Sequence, residues 1–165
     1  MKKWIKILFE LNKVKITIAV TFTTLAGYIL AKGSIDQDII LPVLGIFILA
    51  CGSAALNQVQ DSDKDAIMPR TSTRPIPSGQ ISTSIALLIG ITEIIVGSLL
   101  IYYGSGFLAL QLGLLALIWY NGIYTPLKRK TAFAVIPGSI IGSIPPLVGW
   151  VSGGGSLLNP DAMVL

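Results

Sequence analysis

Five long apolar segments, at residues 14–30, 39–56, 81–103, 107–124 and 133–151, are separated by short polar connections. Each is close to the ~20 residues that an α-helix needs to cross the hydrocarbon core of a bilayer. Hydrophobic residues make up 53% of the chain and charged residues 12%, whereas typical soluble domains carry about 25% charged residues. The sequence therefore predicts an all-α fold, a polytopic transmembrane helix bundle.

Residues 1–13 and 152–165 lie outside these segments. Trp4, Ile7, Leu8 and Leu11 recur on one side of residues 1–13. This pattern predicts either a short helix in the membrane interface or a frayed basic tail. Residues 162–165 follow a glycine-rich turn and are similar to the first turn of another span, so we expect five spans plus a stub.

The basic residues indicate how the chain is oriented in the membrane. With a cytoplasmic N-terminus, the cytoplasmic side carries eleven of them and the opposite side carries only Lys32. The eleven are Lys2, Lys3, Lys6, Lys13, Lys15, Lys64, Arg70, Arg74, Lys128, Arg129 and Lys130. This asymmetry follows the positive-inside rule and predicts a multi-pass protein of the cell (inner) membrane. Because these residues are spread over several connections, we expect no nucleic acid partner.

The polar stretch from residue 57 to residue 82 carries the candidate chemistry. Asn57, Asp61 and Asp65 are spaced four residues apart, so on a helix their side chains share one face. Carboxylates are disfavoured near a helix C-terminus, so a compensating cation is expected there, and oxygen ligands suit a divalent ion such as Mg²⁺. Asp63 points off this face if the helix continues. Alternatively, Asp63 caps the helix or pairs with Arg70 or Arg74, and if the helix has already ended it joins the metal site.

A second cytoplasmic connection, residues 125–130, faces the first one and contains Lys128, Arg129 and Lys130. Taken alone, these three residues are a topological anchor. Taken with the first stretch, they favour a phosphate-bearing ligand. We expect Arg70 and Arg74 to clamp the phosphate oxygens, with Tyr124 and Lys128 donating from the second connection. An apolar cavity behind this polar mouth would suit a lipid diphosphate, whose departure is assisted by a metal ion before a second apolar substrate attacks the carbocation.

Glu93 lies in the middle of the third apolar segment. An acidic residue at membrane depth is a functional hypothesis by default. A hydrogen bond to a neighbouring helix would satisfy it equally well.

Two separated motifs carry a family resemblance. The first is Asn-x₃-Asp-x-Asp-x-Asp-x₂-Met-x-Arg-Thr-x₂-Arg-Pro, which begins at Asn57 and is followed by Ser-Gly-x-Ile-Ser at residues 78–82. The second begins with Tyr-Thr-Pro-Leu-Lys-Arg-Lys-Thr at residues 124–131 and continues with Gly138, Gly142, Pro145-Pro146 and Gly149-Trp150. Together they resemble the intramembrane (UbiA-type) prenyltransferases, and within that superfamily the protohaem IX farnesyltransferase (haem O synthase) branch.

The resemblance implies a complete fold of about nine helices, of which residues 1–165 would form the N-terminal part of a single membrane prenyltransferase domain. It implies that Asn57, Asp61 and Asp65 hold Mg²⁺ on farnesyl diphosphate, that Arg70, Tyr124 and Lys128 contact the diphosphate, and that the farnesyl group is transferred to haem B to give haem O. It further implies association with haem A synthase or with terminal oxidase assembly.

The chain departs from the family pattern at three points. Lys13-Val14-Lys15 lacks the proline of the usual Lys-Pro-Arg/Lys, a second aspartate-rich motif does not occur, and histidine is absent. We therefore expect residues 1–165 to be inactive alone. The alternatives are prenylation of another aromatic or tetrapyrrole acceptor, such as a quinone precursor, and a truncated, non-catalytic membrane protein. An ion channel or carrier is disfavoured because the polar residues cluster at one membrane face.

Overall fold

The computed structural model describes residues 2–164, without the side chains of Lys2, Met163 and Val164; Leu165 of the predicted stub lies outside this part of the chain. The described residues form helices and turns and contain no strand, which confirms the all-α prediction. The helices are α1 (Lys2–Leu11), α2 (Val14–Lys32), α3 (Ile40–Ile67), α4 (Thr83–Ile118), α5 (Thr125–Leu127) and α6 (Val135–Ser152). A π-helix, Trp119–Tyr124, joins α4 to α5, and 3₁₀ turns occupy Gln37–Ile39, Ala132–Ala134 and Pro160–Val164.

Four helical stretches are long and apolar enough to cross a membrane: Val14–Lys32, Gln37–Ile67, Thr83–Leu127 and Ala132–Ser152. The third has 45 residues, and a straight helix of that length would extend about 68 Å, roughly twice the ~30 Å hydrocarbon core. It is interrupted at Gly106, whose φ of 79° and ψ of −171° are not helical. The chain is thus a polytopic membrane bundle, and this stretch corresponds to the predicted third and fourth spans.

The chain reverses direction at Gly106. A Cβ atom added to Gly97 would lie 2.5 Å from the backbone nitrogen of Leu49, and one added to Gly113 would lie 3.1 Å from Cδ2 of the same leucine. Gly97 and Gly113 are 16 positions apart in α4, yet both lie next to Leu49 of α3. This is possible only if the two halves of α4 fold back on each other. The second half consequently runs parallel to α3, and both helices end at the same side of the bundle.

Helix α1 packs against the bundle through one side of its surface. Ile7 and Leu11 are fully buried in a cluster that includes Ala55, Ile76 and Ile81. Trp4 is 52% exposed, although it shares the same helical side in the sequence pattern. The N-terminal residues therefore form an ordered helix and not a frayed tail, and the helix is docked against α3 and the polar loop.

Close backbone contact between helices depends on glycine. A Cβ atom on Gly149 of α6 would overlap the carbonyl oxygen of Thr24 in α2, and one on Gly52 of α3 would lie 2.7 Å from the carbonyl oxygen of Gly90 in α4. Small residues allow such approach in membrane helices, where packing contributes much of the association energy. The α2–α6 and α3–α4 pairs thereby form the frame on which the polar loops are held.

Candidate active site

A polar pocket of about 380 Å³ opens where α3 ends. Its walls come from the α1–α2 connection, the last three turns of α3, the loop that follows and the connection after α5. The lining residues are Lys13, Asn57, Asp61, Lys64, Asp65, Met68, Arg70, Thr71, Arg74, Lys128 and Arg129. Two buried carboxylates and several basic side chains therefore share one small volume.

Each of the two aspartates is paired with basic side chains of its own, two for Asp61 and one for Asp65. Asp61 is 7% exposed and Asp65 is 3% exposed. The Nζ atom of Lys128 lies 2.8 Å from Oδ2 of Asp61, and Nη2 of Arg129 lies 2.5 Å from Oδ1. Nη1 of Arg74 lies 2.5 Å from Oδ2 of Asp65. Burying carboxylates is costly unless they are paired, so these ion pairs allow both aspartates to sit inside the fold.

Asn57 connects three parts of the site. Its amide nitrogen donates to Oδ2 of Asp61 at 3.1 Å and to Oγ1 of Thr125 at 3.0 Å. Its Oδ1 accepts a hydrogen bond from Nζ of Lys13 at 2.6 Å. The structure thus brings Asn57, Asp61 and Asp65 into one pocket and ties them to α5 and to the α1–α2 connection.

Lys13 lines the pocket, although the sequence marks it as a topology signal and as part of a departure from the family pattern, and not as a site residue. Its backbone is left-handed, with φ 47° and ψ 45°, a conformation that costs about 1–2 kcal/mol for a residue with a side chain. Burial, together with the positive charges of Arg74 and Lys128, lowers the pKa of Lys13 to about 8. The lysine is therefore held, against strain and repulsion, at a place where an anion would relieve the repulsion.

The other predicted site residues occupy different positions around the pocket. Arg70 lines the pocket and is exposed. Asp63 is exposed, since α3 continues to Ile67. Tyr124 lies beside the pocket lining, its ring 5.8 Å from Nζ of Lys128 and stacked on the ring of Tyr120.

Arg129 contacts Asp61 directly, although the sequence singled out Lys128 from that connection. Only the fold shows which of three consecutive basic residues reach the carboxylate. The sequence shows only three consecutive basic residues and does not indicate which of them contacts Asp61.

A second, apolar cavity of about 350 Å³ adjoins the polar pocket. Residues of α2, α3, α4 and α6 line it, among them Val20, Leu49 and Gly142. Lys13 lines both cavities. The site therefore combines a charged mouth with an apolar interior, and one side chain stands at the boundary.

The π-helix Trp119–Tyr124 hydrogen-bonds to α3, including Ser53 in the lining of the apolar cavity. Asn121 is buried, and its side-chain Nδ2 donates to Oγ of Ser53 at 2.7 Å, while its backbone carbonyl oxygen accepts from Nε2 of Gln60 at 3.1 Å. Short π segments in helices are frequent at functional sites. The Asn-Gly pair inside an apolar segment was the only sequence sign of this irregularity.

The fold and the site define an integral membrane protein in which a charged pocket adjoins an apolar cavity. The model of the UbiA prenyltransferase family matches residues 20–165. The chain therefore belongs to the UbiA prenyltransferase family.

Curated relatives agree with this assignment, and one solved structure shares the fold. The protoheme IX farnesyltransferase of Oleidesulfovibrio alaskensis is 35% identical over 156 residues, which are 94% of this chain and 55% of the relative. That of Geobacter sulfurreducens is 40% identical over 131 residues, 79% of this chain and 48% of the relative. A solved structure of a digeranylgeranylglyceryl phosphate synthase shares the fold with a TM-score of 0.84 at 22% identity, covering 93% of this chain and 54% of that one. The chain spans about half the length of the curated relatives it matches.

Proposed function

We propose that this chain binds a prenyl diphosphate together with Mg²⁺ as part of a prenyl transfer reaction. The observation that carries the proposal is the position of Lys13, which lines the polar pocket and the apolar cavity at once. A ligand that fills both must have an anionic head and an apolar tail. Prenyl diphosphates have this chemistry, and prenyl transfer is the reaction that the family description names.

The donor set fits Mg²⁺ bound jointly with phosphate. Asp61 and Asp65 offer carboxylates and Asn57 offers an amide oxygen, all from one helix face. Among the described residues, no group of three or more His, Cys, Asp or Glu side chains is placed to hold a metal ion alone. Mg²⁺ usually takes one or two carboxylates together with substrate phosphates. When bound, the ion would neutralise the charge that develops on the departing diphosphate.

The basic side chains supply the remaining charge. Arg74, Lys128 and Arg129 pair with the carboxylates at distances of 2.5–2.8 Å. If a divalent ion were bound by the carboxylates, these side chains would be free to contact phosphate oxygens on the same pocket wall. Arg70 and Lys13 add two further cations to the lining. Tyr124, behind Lys128, would orient that lysine or donate to the diphosphate itself.

For the prenyl group and its acceptor we propose farnesyl diphosphate and protohaem IX. The curated relatives that cover most of this chain are named protoheme IX farnesyltransferase. The rival acceptors, a quinone precursor or another tetrapyrrole, would use the same diphosphate pocket. A binding competition distinguishes these acceptors: haem B and a quinone precursor are offered together to the protein loaded with Mg²⁺ and farnesyl diphosphate. Binding of the quinone precursor and not of haem B would contradict the haem assignment.

The test is ligand binding by the purified chain in lipid nanodiscs. Isothermal titration should show that Mg²⁺ and farnesyl diphosphate bind together more tightly than either does alone. Asp61→Asn and Asp65→Asn should each weaken this joint binding by about tenfold or more, the equivalent of one lost charge-assisted contact. Asp63→Asn, on the same helix but exposed, is the control and should leave it unchanged. Equal affinities in all variants would overturn the proposed function.

Binding and turnover are separate outcomes. Because the described pocket draws its carboxylates from a single helix, we expect residues 1–165 to bind the diphosphate without transferring the prenyl group. The check is incubation with Mg²⁺, farnesyl diphosphate and haem B, followed by mass spectrometry. Detection of farnesylated haem would contradict the expected inactivity while supporting the assigned reaction.

We also propose that the polar pocket faces the cytoplasm from an inner membrane. The excess of basic residues on this side of the bundle supports that orientation. Labelling of cysteines placed singly at exposed Asp63 and at exposed Ser34, in intact cells with a membrane-impermeant reagent, tests it. Only the cysteine at position 34 should react from the outside, and the reverse pattern would contradict the orientation.

A further inference from the structure

Glu93 is a half-buried acid in the membrane-spanning helix α4, away from the lining of the polar pocket. Its Oε1 atom accepts a hydrogen bond from Nδ2 of Asn12 at 2.6 Å, between residues 81 positions apart. Asn12 itself is 8% exposed. Keeping an acid at this depth is expensive, and such residues usually serve a function. The contact therefore links this acid to the connection between α1 and α2, where Asn12 lies.

Asn12 is the residue immediately before Lys13 in the connection between α1 and α2. Lys13 adopts the left-handed conformation described above, and strained residues of this kind persist only where the surrounding contacts determine them. The anchoring contacts come from α3 and α4 and act on the residues just before Lys13. Gln58 donates to the carbonyl oxygens of Glu10 and Leu11 at 2.7 and 2.9 Å, and Glu93 holds the next residue, Asn12.

This connection ends in the site. Lys13 Nζ reaches Oδ1 of Asn57 at 2.6 Å and stands at the boundary between the two cavities. If the backbone at residues 12 and 13 were free to leave the left-handed conformation, the lysine would no longer be directed toward Asn57. The contact between Glu93 and Asn12 therefore helps to hold the strained backbone of Lys13 in place.

We propose that Glu93 is a positioning residue that acts through Asn12 to hold Lys13 at the boundary between the diphosphate pocket and the apolar cavity. This inference rests on the proposed function, since Lys13 is taken to contact the diphosphate. It assigns to the intramembrane acid a role in substrate binding rather than in helix packing alone.

The experiment is a double-mutant cycle on joint binding of Mg²⁺ and farnesyl diphosphate in nanodiscs. Glu93→Ala and Lys13→Met are made singly and together. Coupled residues show non-additive effects, whereas independent ones add. We expect Glu93→Ala to weaken binding by about tenfold in the native background and to have no further effect in the Lys13→Met background. Asn12→Ala should repeat both results.

Two further variants separate positioning from folding. Glu93→Gln keeps an oxygen that can accept from Asn12 and should restore affinity to within about twofold of the native chain. Thr92→Ala, next to Glu93 but exposed and bonded only to the carbonyl of Leu88 in its own helix, is the matched control and should bind normally. Thermal unfolding of every variant is measured in parallel.

The outcomes are distinct. An equal loss from Glu93→Ala in the native and in the Lys13→Met backgrounds would overturn the inference, as would a lowered unfolding temperature with unchanged affinity. If the native chain does not bind farnesyl diphosphate at all, the proposed function itself fails. If the native chain binds and Lys13→Met loses affinity while Glu93→Ala and Asn12→Ala do not, only the positioning role is rejected.

Discussion

Arg74 pairs with Asp65 across the turn that follows α3, with Nη1 of the arginine 2.5 Å from Oδ2 of the aspartate. Asp61, one helical turn earlier, is paired instead with Lys128 and Arg129 from a distant part of the chain. Each carboxylate is thus neutralised by a different connection. The polar stretch at residues 57–82 is held in place by the same side chains that we propose to bind phosphate.

Replacing Arg74 with methionine should destabilise the ligand-free protein. Asp65 would remain buried without its cation, and losing one charge-assisted partner of a buried group costs about 2 kcal/mol. Arg70 lies in the same loop but is exposed, so Arg70→Met should change the free energy of unfolding by less than about 0.5 kcal/mol. Chemical denaturation in detergent micelles measures both. Similar losses from the two variants would contradict the assigned pairing.

Replacing Gly149 with alanine should separate α2 from α6. The added Cβ would overlap the carbonyl oxygen of Thr24, and overpacking of this kind typically costs about 1–3 kcal/mol. Gly142, in the same helix, has no atom within 4 Å of an added Cβ. Thermal unfolding of Gly142→Ala should therefore match the native chain, and an unfolding temperature for Gly149→Ala as high as that of Gly142→Ala would argue against the close helix contact.

A bulky side chain at Gly142 should shorten the apolar cavity without closing the polar pocket. Gly142 lines the cavity, and the space beyond its Cα is open. Gly142→Phe should weaken the affinity for farnesyl diphosphate by about tenfold, the effect of losing the burial of roughly two methylene groups. Affinity for inorganic pyrophosphate with Mg²⁺ should not change. Equal weakening for both ligands would show that the cavity does not hold the tail.

The connection between α2 and α3 should make stability fall in acid. Hydrogen bonds from Lys32 and Tyr28 hold the pKa of Asp36 below its ordinary value of 3.8. Since the folded-state pKa is lower than the unfolded one, the contribution of Asp36 is fully present above pH ~4 and is lost as pH falls toward the folded pKa.

Thermal unfolding of native and Asp36→Asn protein between about pH 6 and about pH 3 tests this. The native chain should be the more stable at the upper end of this range, and the difference should shrink below pH ~4. Exposed Asp161→Asn is the control. A difference that stays constant with pH would contradict the predicted ionisation.

The sequence was sufficient for the class of fold because segment length and hydropathy are local properties. It was also sufficient for the face shared by Asn57, Asp61 and Asp65, since helical spacing alone sets that face. It did not place Lys13 in the site, because the left-handed conformation of this residue depends on contacts that Gln58 and Glu93 make with the residues just before it. The division of the two aspartates between different cations likewise depends on tertiary geometry.

The position of Lys13 between the two cavities has a consequence for the direction in which a ligand can lie in the membrane. Lys13 lines both the charged and the apolar volume, so the amphiphile that we propose as ligand should lie in one direction along the bundle, with its anionic end toward the loops. An amphiphile with a cationic head would place like charges together at this border, where repulsion is strengthened by the low dielectric. Detergents and lipids of opposite head charge should therefore differ in their ability to compete with farnesyl diphosphate for this protein, even when their tails are identical.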